Sequence, residues 1–151
     1  MSRWTCIVAF LLACATPLAV PAADGITVGD EFALWTDGPG KGIQGTPAVA
    51  FGQGTYLAVW REGWHGKGGA ARIYAARLSA EGKLLDGKGI EVAPAQAGVQ
   101  ERPRVAFGGG VFLVVWQDFR NGKDYDILAA RISPEGKVLD REPILVAAGP
   151  R

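Results

Sequence analysis

The densest run of oxygen-bearing side chains is Gln117-Asp118-Phe119-Arg120-Asn121-Gly122-Lys123-Asp124-Tyr125-Asp126, and the chemistry it offers is cation binding. Calcium takes about six to eight oxygen ligands, of which Asp118, Asp124 and Asp126 would supply several. Arg120 and Lys123 stand among them, however, and the spacing is not that of an EF-hand. The rival reading makes the same residues structural: Asp118 pairs with Arg120, or Asp126 with Arg131, around a turn at Asn121-Gly122. We adopt the ion pairs and expect no cofactor, with calcium at Asp118, Asp124 and Asp126 as the alternative.

A second group could bind rather than react. Trp64 and His65 sit in the glycine-rich stretch Gly63-Trp64-His65-Gly66-Lys67-Gly68-Gly69, where an indole could stack on a sugar ring, and Phe119 is the aromatic of the acidic run. Trp64, His65 and Phe119 are therefore the candidate ligand-binding residues. His65 is the only histidine, so a zinc site built from several histidines is excluded. Trp60 and Trp116 each end an apolar run and read as packing residues. Arg77 and Arg131 each end an Ala-Ala-Arg triplet. Their guanidinium forks could read a carboxylate or phosphate, but a buried arginine needs a partner, so a structural ion pair is expected.

No catalytic residue is assigned. Ser79 and Ser133 fall in turn sequences, where serine bonds its own backbone, and no Ser-His-Asp arrangement follows. No carboxylate pair for glycoside hydrolysis stands apart from the general pattern, and the S-x-D-x-G-x-x-W box is absent. Gly40-Lys41-Gly42-Ile43-Gln44-Gly45 has the letters of a dinucleotide loop, yet Thr46-Pro47 and a strand pattern follow it instead of a helix.

These residues are positioned by an internal repeat. PAVAFGQGTYLAVW (47–60) matches PRVAFGGGVFLVVW (103–116) at 9 of 14 positions with an offset of 56. IYAARLSAEGKLLD (73–86) matches ILAARISPEGKVLD (127–140) at 10 of 14 with an offset of 54, which puts two extra residues between 60 and 73 of the first copy. That insertion is expected in a connection, because connections absorb length changes more easily than strands. In the first copy strands are expected at 48–51, 56–60, 72–78 and 83–85, with an outer segment near 90–93. Gly52-Gln53-Gly54 would close a hairpin, and Ser79-Ala80-Glu81-Gly82 and Ser133-Pro134-Glu135-Gly136 would make equivalent turns with glycine at a positive φ. The runs 56–60 and 111–116 are continuously apolar, the pattern of a strand buried on both faces. Sheets stacked face to face satisfy it.

The second copy resembles the repeat of large exported bacterial β-propeller proteins, P-x-V-A-F-x-G-x-x-[FY]-L-V-V-W-x-D-x-R followed by D-I-x-x-x-R-[IV]-S-x-x-G-x-V-L-D. The likeness covers residues 47–147. Where that pattern has Asp118 and Arg120, the first copy has Glu62 and Trp64. The resemblance implies an all-β fold of four-stranded antiparallel blades, and it implies no particular reaction. Residues 24–46 read as the tail of a preceding unit with an outer strand at 32–35, residues 47–102 as the first blade, and 103–151 as the second.

With 16 Lys and Arg against 15 Asp and Glu in 151 residues, the chain carries no electrostatic footprint for nucleic acid. The first two dozen residues have Arg3, an apolar run at 7–13 and then small residues, the order of a secretory signal. That run is shorter than the ~20 residues a membrane span needs, so the mature chain is expected to have none. Cleavage near Ala23 would make 1–23 the signal peptide. Leu11-Leu12-Ala13-Cys14 also resembles the lipobox of bacterial lipoproteins, in which case Cys14 is lipidated and the signal is 1–13. Cys6 and Cys14 are the only cysteines, so a chain starting near Asp24 holds no disulfide.

The expected protein is a non-catalytic exported repeat module with a binding or surface-structural role, extracellular, periplasmic or at the cell surface, and part of a larger propeller. The alternatives are a carbohydrate-binding lectin that closes a propeller as a homo-oligomer, and a fragment of a propeller enzyme such as a glycosidase. Propellers close with about four to eight blades, so the expected partners are further repeats of a longer chain, other copies of this one, or a carbohydrate.

Overall fold

The computed structural model describes residues 30–34, 43–63, 70–93 and 98–150. Strands follow in the order β1 (Gln44–Gly52), β2 (Thr55–Gly63), β3 (Ala71–Ser79), β4 (Ile90–Glu91), β5 (Gln100–Gly108), β6 (Val111–Asp118), β7 (Asp126–Ile132) and β8 (Ile144–Ala147). They form two four-stranded antiparallel sheets, β1-β2-β3-β4 and β5-β6-β7-β8, each a simple meander like a propeller blade. Among the described residues no helix is long and apolar enough to cross a membrane.

Local chemistry explains the meander. Gln53 and Gly54 in the first blade, and Gly109 and Gly110 in the second, all have positive φ, as a two-residue primed turn between twisted strands requires. The later turns also match their sequences: Gly82 and Gly136 sit at φ 83° and 86°, and each donates its N–H to the carbonyl of Ser79 or Ser133 at 2.9 Å. The first strand of each blade carries a β-bulge, between Gly45 and Ala48 and between Glu101 and Arg104. Thr46 and Arg102 take positive φ there, each just before a proline. Both blades therefore begin at a glutamine three residues ahead of the proline that opens the sequence repeat.

The core lies between the two sheets. Leu57, Val59, Ile73 and Ala75 of the first blade meet Phe112, Val114, Trp116, Leu128, Ala130 and Ile132 of the second, with Val92 and Ala93 closing the cluster. Phe107 and Phe112 meet edge to face at 4.9 Å between ring centroids. Both sheets belong to a compact unit, Ala33–Arg151; of the preceding unit, Met1–Phe32, the described residues 30–32 carry no strand.

Four expectations need correction. Residues 32–34 are not a strand, and Trp35 lies outside the described residues. The segment 83–85 is not a strand either: Leu84 makes one isolated bridge to Leu78, and the outer strand is β4. The two extra residues of the first copy do not lengthen a connection. They add the cross-strand pair Gly63↔Ala71 beyond Glu62↔Arg72, the counterpart of Asp118↔Asp126, so the connecting segments 64–70 and 119–125 stay equal. Inserting one residue on each side of a hairpin preserves register, whereas one on a single side would reverse every side chain beyond it. Finally, β2 is buried along both faces as expected, but β6 alternates, because only its Phe112, Val114 and Trp116 side meets the other blade.

Candidate functional site

The polar side chains of the second copy named from sequence gather at one end of its blade and along its outer turn. Asp118 ends β6 on the same face as Trp116, two residues earlier in the strand, and the Trp116 indole donates to its Oδ2 at 3.0 Å. Arg120 approaches it from the following turn: Nε donates to Oδ1 at 2.8 Å, Nη2 to Oδ2 at 2.7 Å, and the Arg120 backbone N–H to Oδ1 at 3.0 Å. Burial works to raise the Asp118 carboxyl, but the Arg120 and Trp116 hydrogen bonds outweigh it and hold the group below the usual carboxylate range. An acid so engaged has both oxygens committed to the fold.

Asp124 and Asp126 are organised separately, by Asn121. Its amide donates to Asp124 Oδ1 at 2.6 Å and Asp126 Oδ2 at 3.3 Å, while its carbonyl oxygen accepts the N–H groups of Lys123 and Asp124 at 2.8 and 3.1 Å. The Gly149 N–H donates to Asp126 Oδ1 at 2.9 Å. Asn121, Lys123, Asp124, Asp126, Leu145 and Gly149 line a cleft of about 400 Å³. Asp118 is held apart from Asp124 and Asp126, and the described residues contain no group of three or more His, Cys, Asp or Glu able to hold a metal ion.

The two arginines of the Ala-Ala-Arg triplets have partners that the sequence reading missed. Arg77 forks onto Asp86, with Nε to Oδ2 at 2.7 Å and Nη2 to Oδ1 at 2.8 Å, and its backbone N–H adds a third bond at 2.9 Å. Arg131 does the same with Asp140, so the alternative Asp126–Arg131 pair does not form. The Asp86 hydrogen bond raises the Arg77 guanidinium above its ordinary value despite burial, and the Asp140 bond does so for Arg131. The missed signal was the constant spacing, Arg followed nine residues later by Asp in both copies. Arg77 additionally donates to the Pro134 carbonyl of the other blade at 3.0 Å.

Of the candidate ligand-binding residues, Trp64 and His65 lie outside the described residues, as does Cys14. Phe119 is half-buried and packs against Tyr125 with ring centroids 5.1 Å apart. Burial pushes the Tyr125 hydroxyl up, and a hydrogen bond to Glu101 adds to it. The pair places an aromatic surface on the same connection as Asn121 and Asp124.

No family model matches the chain, and no curated protein matches it. Among solved structures it is similar to an α-L-arabinanase of Cellvibrio cellulosa in complex with arabinohexaose, at 13% identity over 67% of this chain and 36% of that one, with a TM-score of 0.47. It is also similar to an exo-1,5-α-L-arabinanase from a bovine ruminal metagenomic library, at 11% identity over 70% of this chain and 38% of that one, with a TM-score of 0.46. The chain thus spans little more than a third of either length. The likeness is one of fold only.

Proposed function

We propose that this chain is a non-catalytic, exported repeat module of propeller type with a binding or surface-structural role. The observation that carries the reading is where its acids are spent. Two carboxylates working as acid and base need environments that push them apart, one of them upward. Among the described residues the acids of the repeat are engaged within it: Asp86, Asp118 and Asp140 each take the guanidinium fork of an arginine, and Asn121 holds Asp124 and Asp126. These groups join strands to turns within the repeat.

Export rests on the order of charge, apolar run and small residues at the N-terminus. After expression in a bacterial host, the intact mass is expected to begin near Asp24, or at a lipidated Cys14. A mass beginning at Met1 in an exported fraction removes this part of the reading. The same purified protein is expected to leave chromogenic glycosides and esters unhydrolysed. Turnover that survives purification and is lost in Asp124→Asn or Asp126→Asn would replace the module with an enzyme fragment.

One observation favours a lectin as the second reading: the Phe119–Tyr125 surface beside Asn121 and Asp124 joins a stacking platform to polar groups, as sugar recognition needs. A glycan array separates the two roles. Binding that Phe119→Ala and Tyr125→Ala both abolish establishes the lectin, and an array without hits leaves the structural role.

A further inference from the structure

The two blades meet through the inner face of each, and the repeat makes the two outer faces chemical copies of those inner ones. With offsets of 56 and 54, the first blade's inner residues Ala50, Leu57, Val59, Ile73 and Ala75 correspond to Ala106, Leu113, Val115, Ile127 and Ala129 on the outer face of the second. Conversely Phe107 and Phe112, which the second blade turns inward, correspond to Phe51 and Tyr56, exposed at the hairpin end of the first blade's outer face, where Ala58, the counterpart of Val114, is already buried. Leu113 is 42% exposed and Phe51 is 51% exposed.

Specific contacts between the blades have unfilled counterparts on these outer faces. Inside the chain the Phe107 ring lies flat on Gly52, so closely that a Cβ there would stand 2.1 Å from its Cγ. The equivalent knob, Phe51, is exposed, and the equivalent socket, Gly108, has nothing within 4 Å of its missing Cβ. Arg77 lies over Gly136, with Nε 2.6 Å from a Cβ placed there, and donates to Pro134. Its equivalent Arg131 is exposed, and Gly82, the equivalent of Gly136, is open. Gln100 accepts the Ile73 N–H at 3.2 Å across the interface, while its equivalent Gln44 is exposed.

We propose that the outer face of the second blade receives the outer face of the first blade of a second copy of this chain, head to tail. Phe51 of one copy then covers Gly108 of the next, repeating between chains the contact that Phe107 and Gly52 make within one. The occupant is another copy because the empty sockets fit the chain's own knobs. A head-to-tail contact of this kind is heterologous, so it closes into a ring or grows as a filament. The proposal uses only these two faces and does not depend on the function proposed above.

Complementation tests it. Phe51→Asp removes the knob and leaves the socket face intact, whereas Leu113→Asp blocks the socket and leaves the knob. Both positions are exposed, and circular dichroism melts confirm that each variant folds. By sedimentation and light scattering, the full chain is expected to form a discrete assembly or a filament, and each variant alone a monomer. An equimolar mixture of the two variants is expected to form a one-to-one dimer through the single interface left intact. The proposal is overturned by a full chain that stays monomeric at every concentration, which would leave the faces to another occupant such as further repeats. It is also overturned by variants that assemble or aggregate like the parent, or by a mixture that remains monomeric.

Discussion

The same side chain at the same place in the repeat meets opposite surroundings in the two blades. Leu57 is 0% exposed, whereas Leu113, its counterpart, is 42% exposed; Phe112 is 0% exposed and its counterpart Tyr56 38%. The Arg77 side chain is 18% exposed against the turn of the neighbouring blade, and Arg131, with the equivalent aspartate fork, is 51% exposed. Residue type is held nearly constant across these pairs, so the difference isolates the neighbour. A blade is a unit of local folding that needs a second blade on each face to bury what it carries.

The largest effect expected from this comparison is in the shared core. Phe112→Ala should destabilise the chain by about 4 kcal/mol, while Tyr56→Ala at the equivalent position should cost about 1 kcal/mol or less. Urea melts of both variants measure the gap, and equal losses would break the account of a covered Phe112 and an open Tyr56.

Next comes Asp118, the buried acid whose carboxylate Arg120 and Trp116 share. Asp118→Asn leaves Arg120 and Trp116 without their shared carboxylate and should cost about 3 kcal/mol at neutral pH. The pH dependence has a definite sign. The folded carboxyl lies below its ordinary value of 3.8, so its contribution is complete above that value and is lost as pH falls through the folded one. The parent's advantage over the variant should therefore shrink on acidification below about pH 4. An advantage that stays constant down that limb would show that the ion pair contributes nothing through ionisation.

Two glycine pairs sharpen the comparison at smaller scale. Gly52→Ala pushes a methyl into the Phe107 ring and should cost about 2 kcal/mol, but Gly108→Ala enters open space and should change stability by less than about 1 kcal/mol. Gly82→Ala and Gly136→Ala both force alanine to positive φ, at about 1 kcal/mol each. Gly136→Ala also displaces Arg77 from the Pro134 carbonyl and should cost about 1 kcal/mol more. Thermal melts that rank Gly82→Ala as the more damaging of the pair would contradict the interblade role of Arg77.

Much of the fold was legible because its signals are short-ranged. The hairpin glycines, the Ser-x-Glu-Gly turns and the apolar runs act over a handful of residues, and among the described residues the structure places strands over each run except 32–34 and 83–85. Those two failed for one reason: a short apolar or extended stretch becomes a strand only where a partner strand is in register, and Ile90 rather than Leu84 reaches Ala75. The candidate site was less legible. The Asp118–Arg120 pair could be read two residues apart, but Arg131 chose Asp140 over Asp126, a choice made by the turn that brings residue 140 back alongside β7. Likewise Asp118 and Asp124 are near in sequence but are held by different donors.

What the amino-acid order determines by itself is the repeat, the period of the strands and the conformations at the turns, because steric limits on φ and the alternation of side chains are properties of neighbouring residues. Only the tertiary structure decided which face of each blade is covered. Val59 and Val115 occupy equivalent positions in similar strands, yet one is fully buried and the other is not, and nothing in the local sequence distinguishes them. Burial is a property of what stands opposite, and what stands opposite is brought there by chain 27 to 57 residues away: Phe107 on Gly52, Pro134 against Arg77, Gln100 on Ile73.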